Sequence, residues 1–572
     1  MNIETRVLSS LEKVFPLQDP SPITVPMTCL QGEKYAFQIA AKIDMQRTYG
    51  CLLYVDIESE LPVTIRRVGY VPAQLLNARA SDNHYLTMQP GLFPDPLFDP
   101  EPYGLIGDAI EPLEGTGKIG VINSICGQWG SMLLEVRTEG VPAGTYPIKV
   151  NFTAKSPYWG TKTVDCSVST SLEVVGAQLP KQDLKYTCWF HGDCLSNYYN
   201  DEVFSEEHWT AMENLIRMAA DYGQNMILTP VFTPPLDTAI HYERPTVQLV
   251  DVALENGQYS FDFSKLTRFI KMCQNCGIEY FEISHLFSQW GGTNCPKVMA
   301  TVDGEYKKIF GWETEAMGDA YKEFLKVFLG EFTAYLDANG LRGKAYFHLT
   351  DEPSEDHLPQ YKKLKEWVAP LVEGYPLMDA MSEYSYFEQG ICECPAVATT
   401  ALEPFLKGKR PEDFWVYYCI AQGWNNLSNR FMAMPGYRTR ILGIQLYLEN
   451  VAGFLQWGLN YYYSVQSLRP INPYAVTDGE GFFPAGDAFI IYPGKDRKPV
   501  ASQRLLIFNE GLQDLRALKL LESLTSREHV IELIHEEAQI PVTFTEYPTG
   551  EGYILRLREK VNREIAQLSA AK

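Results

Sequence analysis

Over the first 180 residues, apolar and polar positions alternate in short runs. The alternation predicts strands at 35–43, 51–57 and 64–71. Two more follow: 146–152, entered through the turn Val141-Pro142-Ala143-Gly144-Thr145, and 166–175. Short period-two runs separated by turn residues at this spacing predict a β-sandwich domain over 1–180. One segment breaks the pattern. Residues 80–116 are rich in Pro, Gly, Asp and aromatics, as in Gly91-Leu92-Phe93-Pro94-Asp95-Pro96-Leu97. A loop of that length in a compact domain is usually functional. Its Phe93, Phe98 and Tyr103 predict that it helps to shape a pocket at the strand-end rim of the next domain.

From residue 185 strands alternate with longer helical periods. Strands are expected at 186–191, 225–230, 280–285, 344–349, 377–382, 396–400, 414–420 and 453–457. The helices between and after them are read at 205–222, 264–276, 314–338, 355–371, 437–450 and 500–521. About eight such units are what a (β/α)8 TIM-like barrel over 181–525 requires. A doubly wound sheet would carry a glycine-rich phosphate turn after its first strand; here that turn reads His191-Gly192-Asp193-Cys194. Residues 526–572 read as a C-terminal extension with a short strand at 542–547 and a last helix.

Composition narrows the partners. Asp and Glu total 71 against 49 Lys and Arg, a formal charge of -22 with no basic stripe, which argues against nucleic acid and anionic membranes. There are 34 Tyr and 10 Trp, whose flat faces suit sugar rings as well as a large core. The 12 Cys show no repeated metal spacing. Cys273 and Cys276 stand alone inside the helix at 264–276, and Cys392 and Cys394 are too close for a zinc knuckle. Buried free thiols in a reducing compartment are expected, with no metal and no cofactor. The start, MNIETRVLSSLEKVFP, lacks a basic stretch followed by an apolar core, so a cytoplasmic chain is expected. No apolar run is long enough to span a bilayer. Oligomeric state is not legible.

Barrel enzymes carry their chemistry where strands end. The first strand ends in Trp189, Phe190 and His191, and the third in His285, Gln289 and Trp290. The seventh gives Tyr417, Tyr418, Gln422, Trp424 and Asn425; the eighth gives Gln456, Trp457 and Asn460. The fourth ends His348-Leu349-Thr350-Asp351-Glu352-Pro353. One acid before Pro353 would cap a helix, but capping needs only one, and Ser354 could serve equally well. Two adjacent carboxylates suit glycoside hydrolysis: Glu352 as the acid, kept neutral by partial burial and its anionic neighbour, and Asp351 ionised. The seventh and eighth strands offer no carboxylate as nucleophile. A substrate 2-acetamido group can replace it, its carbonyl oxygen attacking the anomeric carbon while Asp351 holds its N–H.

The pair, its barrel position and the stretches 347–353, 453–460, 486–494 (GDAFIIYPG) and 500–515 resemble glycoside hydrolase family 123, the β-N-acetylgalactosaminidases. FPDPL at 93–97 and NMILTPVFTPPLDT at 225–238 extend the resemblance over most of the chain. It implies an exo-acting retaining hydrolase of terminal β-linked N-acetylhexosamine on an oligosaccharide or glycoconjugate. Asp351 would orient the acetamido group and Glu352 would act as acid/base. It also implies an aromatic floor, for which Trp457 is chosen, and a tyrosine near the acetamido carbonyl, Tyr384 or Tyr386. His191, Trp290, His348, Trp424 and Asn460 are sugar-contact candidates by their strand-end positions. The alternatives are a glycosidase of other sugar specificity and a non-catalytic carbohydrate-binding protein.

Overall fold

In the strand Gly144–Lys155, Ile148, Val150, Phe152 and Ala154 are buried while the residues between them are not, the period-two signature of a half-buried sheet. The computed structural model describes residues 2–44, 50–77, 81–101, 103–106, 109–112, 120–155 and 163–570. Its N-terminal part holds two five-stranded sheets. One runs in the order Asn2–Ser9, Lys34–Asp44, Trp129–Arg137, Val63–Ala73, Gly91–Phe98. The other runs Thr28–Gln31, Thr163–Gln178, Gly144–Lys155, Gly50–Ser59, Gly120–Ile125. Their inner faces share one core, with Ile39, Met132 and Leu134 from the first against Val55, Val150 and Phe152 from the second.

The segment 80–116 is less of a loop than the sequence suggested. Gly91–Phe98 is an edge strand paired with Val63–Ala73, and Tyr103–Ile106 pairs with Ala109–Pro112. Phe93 is buried edge-on against Phe15, and Phe98 stacks on Tyr474. Residues 102, 107–108 and 113–119 and the side chain of Tyr103 lie outside the described residues.

The second part is a parallel eight-stranded barrel: β1 (Lys185–Cys188), β2 (Met226–Thr229), β3 (Tyr280–Ile283), β4 (Ala345–Phe347), β5 (Met378–Ala380), β6 (Cys394–Ala398), β7 (Trp415–Tyr417) and β8 (Gly453–Gln456). Seven neighbouring pairs form ladders. Between β4 and β5 the ring closes through the single bridge of Phe347 to Leu377, with the Phe347 N–H donating to Pro376 O at 2.9 Å. The interior is filled by Met226, Leu228, Tyr346, Ala396, Trp415, Tyr417 and Leu455. Gly453 is required on β8, because a Cβ there would lie 2.1 Å from the Trp415 ring. Seven of the eight strands are shorter than their apolar runs, whose last one to three residues leave the ladder to form the rim; β6 instead starts and ends two residues earlier than the run at 396–400.

The helix at 264–276 is found as read, ended by Gly277 at φ 105°. Glu206–Asp221 and Gln503–Leu524 are capped by the Ser205 and Ser502 hydroxyls. One reading needs correction, and one sheet goes beyond what was read. Residues 542–547 form no strand; their apolar members Val542, Phe544 and Tyr547 are buried without pairing. A four-stranded sheet of Asp251–Glu255, Gln258–Asp262, Val298–Val302 and Glu305–Phe310 flanks β3 in sequence and was not foreseen. No helix among the described residues is long and apolar enough to cross a membrane.

Candidate active site

At the strand ends of the barrel lies a cavity of about 360 Å3. Trp189, His191, Asp237, Gln289, Trp290, Asp351, Glu352, Tyr417, Trp457, Phe482 and Phe483 are among its lining residues. Polar groups converging among aromatic walls are the usual make-up of a small-molecule site.

The turn after β4 presents the two acids. Glu352 sits in the left-handed region at φ 42°, and its N–H donates to Ala380 O at 3.1 Å. A left-handed non-glycine residue costs about 1–2 kcal/mol, so the surrounding bonds must hold it. Trp290, itself at φ 56°, donates its N–H to Asp351 O at 2.8 Å. The Asp351 carboxylate has no side-chain hydrogen bond among the described residues, although the residue is only 8% exposed. Burial, then the neighbouring Glu352, push its carboxyl well above the usual carboxylate range. Glu352 is the exposed member. Its Oε1 accepts the Tyr417 hydroxyl at 2.6 Å. The burial expected for Glu352 therefore falls on Asp351, because the left-handed turn swings Glu352 toward solvent.

Beneath the pair is a charged layer. His348, fully buried, lies between Glu282 Oε1 (Nε2, 2.5 Å) and Asp379 Oδ1 (Nδ1, 3.1 Å). It lines no part of the cavity and is not placed to touch a sugar. Burial pulls its imidazolium down, but the bonds to Asp379 and Glu282 outweigh that and push it up to about 10. Glu282 also accepts Trp189 Nε1–H at 2.7 Å and the Thr187 hydroxyl at 2.5 Å. His285 stacks on His348 with ring centroids 4.4 Å apart. Burial, then the charge of His348, hold His285 well below the usual histidine range. His285, His348 and Asp379 bring potential metal-ligand atoms within 4.8 Å of one another. Both nitrogens of His348 already face carboxylates, and the stacked rings do not converge on one point, so the set is poorly built for a cation.

The opposite wall comes from β1, β8 and the loop after β2. His191 Nε2–H donates to Trp457 O at 3.1 Å, and its Nδ1 accepts from Arg244 at 3.1 Å, a consistent neutral tautomer. Burial, then the Arg244 charge, lower it to about 3. Trp457 donates Nε1–H to Asp487 at 3.0 Å and packs on Phe483. Asp237 is the third cavity carboxylate. Its Oδ2 accepts the Tyr461 hydroxyl at 2.5 Å and the Gln466 N–H at 3.0 Å. Gln289 Oε1 accepts the Asp237 N–H at 2.6 Å, which leaves its Nε2 buried without a partner.

Of the strand-end residues read from sequence, Asp351, Glu352, Trp189, His191, Gln289, Trp290, Tyr417 and Trp457 come together here. Asn460 does not reach the cavity: it is fully buried and holds the His191 backbone by bonds of 2.9 Å in both directions. Trp424 is 44% exposed, away from the lining. Tyr384 bonds the Lys409 backbone and Tyr386 donates to Ser354 O at 2.7 Å, so neither enters the cavity. Tyr417 does. The segment 81–90 reaches the rim without lining the cavity: Tyr85 donates to Gly423 O at 2.6 Å, and Asp82 accepts from Asn426 N and Arg438. Glu282, Asp379, Asp237, Phe482 and Phe483 were given no role from sequence. Glu282 and Asp379 carried a signal, since a carboxylate inside an apolar buried strand requires partners.

A family model described as glycoside hydrolase 123, catalytic domain, matches residues 189–521. Among solved structures, a family 123 glycoside hydrolase from Clostridium perfringens, described for glycolipid glycan hydrolysis, is similar with a TM-score of 0.69 at 15% identity. The match covers 100% of this chain and 98% of that one, and at this identity it is a likeness of fold. The PapD-like domain 7 of human CEP192 is similar over 31% of this chain and 87% of its own, at 12% identity and a TM-score of 0.15, too low to carry an argument. No curated protein matches the sequence.

Proposed function

Because this chain belongs to glycoside hydrolase family 123, we propose that it removes terminal β-linked N-acetylhexosamine, N-acetylgalactosamine foremost, from a glycoconjugate with retention of configuration. The substrate class draws on the similar Clostridium perfringens enzyme, described as acting on glycolipid glycans. One observation carries the mechanism. Among the described residues no side chain bonds the Asp351 carboxylate, which opens to the cavity beside Glu352, and neither β7 nor β8 supplies a carboxylate. Where β7 would offer a nucleophile stands Tyr417, which donates to Glu352.

In this reading burial keeps the Asp351 carboxyl protonated until substrate arrives. An arriving acetamido N–H donates to Asp351, favours its ionised form and moves the proton to Glu352. The acetamido carbonyl oxygen then attacks the anomeric carbon as Glu352 protonates the leaving oxygen. The C1–O bond breaks and a cyclic oxazolinium forms, its charge balanced by Asp351. Glu352, now the base, takes a proton from water, which opens the ring by a second inversion at the same carbon. Trp457 and Trp189 supply apolar faces for the sugar ring. The exposed Trp290 and Phe482 stand at the mouth, where a leaving group would lie.

The test compares a β-N-acetylgalactosaminide with the 2-hydroxy galactoside of the same leaving group. The acetamido substrate should be favoured by about 10²-fold or more in kcat/KM, the advantage of a positioned internal nucleophile. Comparable rates, abolished by Asp237→Asn, would assign the attack to the third cavity carboxylate instead.

A further inference from the structure

His348 sits between two carboxylates with a nitrogen on each. A neutral imidazole has one N–H, so its other nitrogen would turn a lone pair toward an ionised carboxylate oxygen in a fully buried site. With both carboxylates ionised, the doubly protonated ring is the form that satisfies both sides. The stacked His285, neutral and with neither nitrogen partnered among the described residues, offers its ring face to that cation. The remaining oxygens are also occupied. Glu282 accepts from Trp189 and Thr187; Asp379 accepts the Tyr361 hydroxyl at 2.5 Å and the N–H groups of Leu349 and Thr350 at 3.1 and 3.3 Å. Those last two are the residues immediately before Asp351. Thr350 is tied further by its hydroxyl to Ser288 O at 2.7 Å.

We propose that His348 is a positioning residue: clamped as an imidazolium between Glu282 of β3 and Asp379 of β5, it fixes the turn that aims Asp351 and leaves one uncompensated negative charge beneath that carboxyl, setting the pH at which it ionises. The charge count is two carboxylates against one cation. The groups that face Asp351 are Glu352 on its own turn, Tyr417 and Cys419 from the β7 side, and His191 and Asp237 lining the same cavity. Glu282, His348 and Asp379 lie below. Of the groups below, Glu282 and Asp379 oppose ionisation of Asp351 and His348 favours it. A net negative layer also favours the positive charge that develops during glycoside cleavage. The inference rests on the proposed role of Asp351 as the ionised partner of the acetamido group.

Two isosteric variants test it. In Glu282→Gln the amide oxygen can still accept from both Trp189 and His348, and in Asp379→Asn it can still accept the Leu349 and Thr350 N–H groups. Each removes one negative charge while Asp351 keeps its surroundings. The acid limb of kcat/KM, which reports the free enzyme, should move to lower pH in both, by on the order of one pH unit. A merely structural role would lower kcat and leave the limb in place. The wild type supplies a measurement that needs no variant to fold. With 15N-labelled histidine, the His348 ring should carry protons on both nitrogens throughout about pH 5 to 8, where an ordinary histidine titrates. A ring with one proton at neutral pH, or unmoved limbs in both variants while Asp351→Asn is inactive, would overturn the inference alone. An active Asp351→Asn would overturn the functional reading on which it rests.

Discussion

The chemistry of this site is concentrated in hydrogen bonds to single carboxylates. Tyr417 is the clearest case, donating its hydroxyl to Glu352 at 2.6 Å. A bond to an acceptor that becomes charged as it gives up its proton contributes about 1.5–3 kcal/mol. Tyr417→Phe should therefore lower kcat by about 10- to 10²-fold, with an unchanged thermal midpoint as the control for folding. Glu352→Gln should cost about 10²-fold or more on a substrate with a poor leaving group, the usual contribution of a positioned acid. Normal turnover by the latter would remove Glu352 from the reaction. The acidic pair was legible because two adjacent carboxylates at a strand end exceed what a helix cap needs. Tyr417 was legible as a strand-end candidate, but its bond to Glu352 was not, because a contact between two strand ends 65 residues apart leaves no local trace. Alternation along β7 gives only its direction: Trp415 and Tyr417 face the barrel interior, while Val416 and Tyr418 face outward into the surrounding core.

At the scale of elements, the loop after β2 is locked to the end of β1 by a buried ion pair. Arg244 Nε and Nη2 reach Asp193 at 2.8 and 2.7 Å, with both side chains almost wholly shielded. Arg244→Met leaves Asp193 charged and unpaired, and breaking a buried pair from one side costs about 3–5 kcal/mol. Denaturant unfolding should register that loss, and a change under about 1 kcal/mol would mean that Asp193 finds another partner. The His348 clamp makes a separate demand. Its folded value of about 10 lies above the ordinary 6.5, so its stabilisation is fully present below about pH 6.5 and is lost as pH rises through about 10. Unfolding free energy should fall across that window in the wild type, and less so in Glu282→Gln. The eight barrel strands were legible from apolar runs and spacing. The sheet inserted between β2 and β4 was not, because its strands are largely solvated: Glu305–Phe310 is exposed along most of its length and carries no core-facing period.

Across the whole molecule, the sandwich is welded to the barrel rather than tethered to it. Leu30, Val68 and Leu133 share one hydrophobic core with Tyr186, Leu512 and Leu557. A buried ionic cluster spans the same contact: Arg558 pairs with Glu33 and Asp514, Arg440 with Asp514 and Glu510, and Glu510 accepts the Ser10 hydroxyl at 2.7 Å. The two parts should therefore unfold in one transition, with Arg558→Met lowering its midpoint without splitting it. Two resolved calorimetric peaks in the wild type would contradict the shared core. The change of pattern near residue 180 was visible in the sequence. The weld was not, because an ion pair between positions 33 and 558 leaves no local trace.

The central claim, attack by the substrate's own acetamido group, has a stereochemical signature. Proton NMR recorded during the first minutes of hydrolysis of a β-N-acetylgalactosaminide, before mutarotation, identifies the first-formed hemiacetal. Two inversions at one carbon predict the β-anomer; accumulation of the α-anomer would mean that water attacks directly, and would contradict the account.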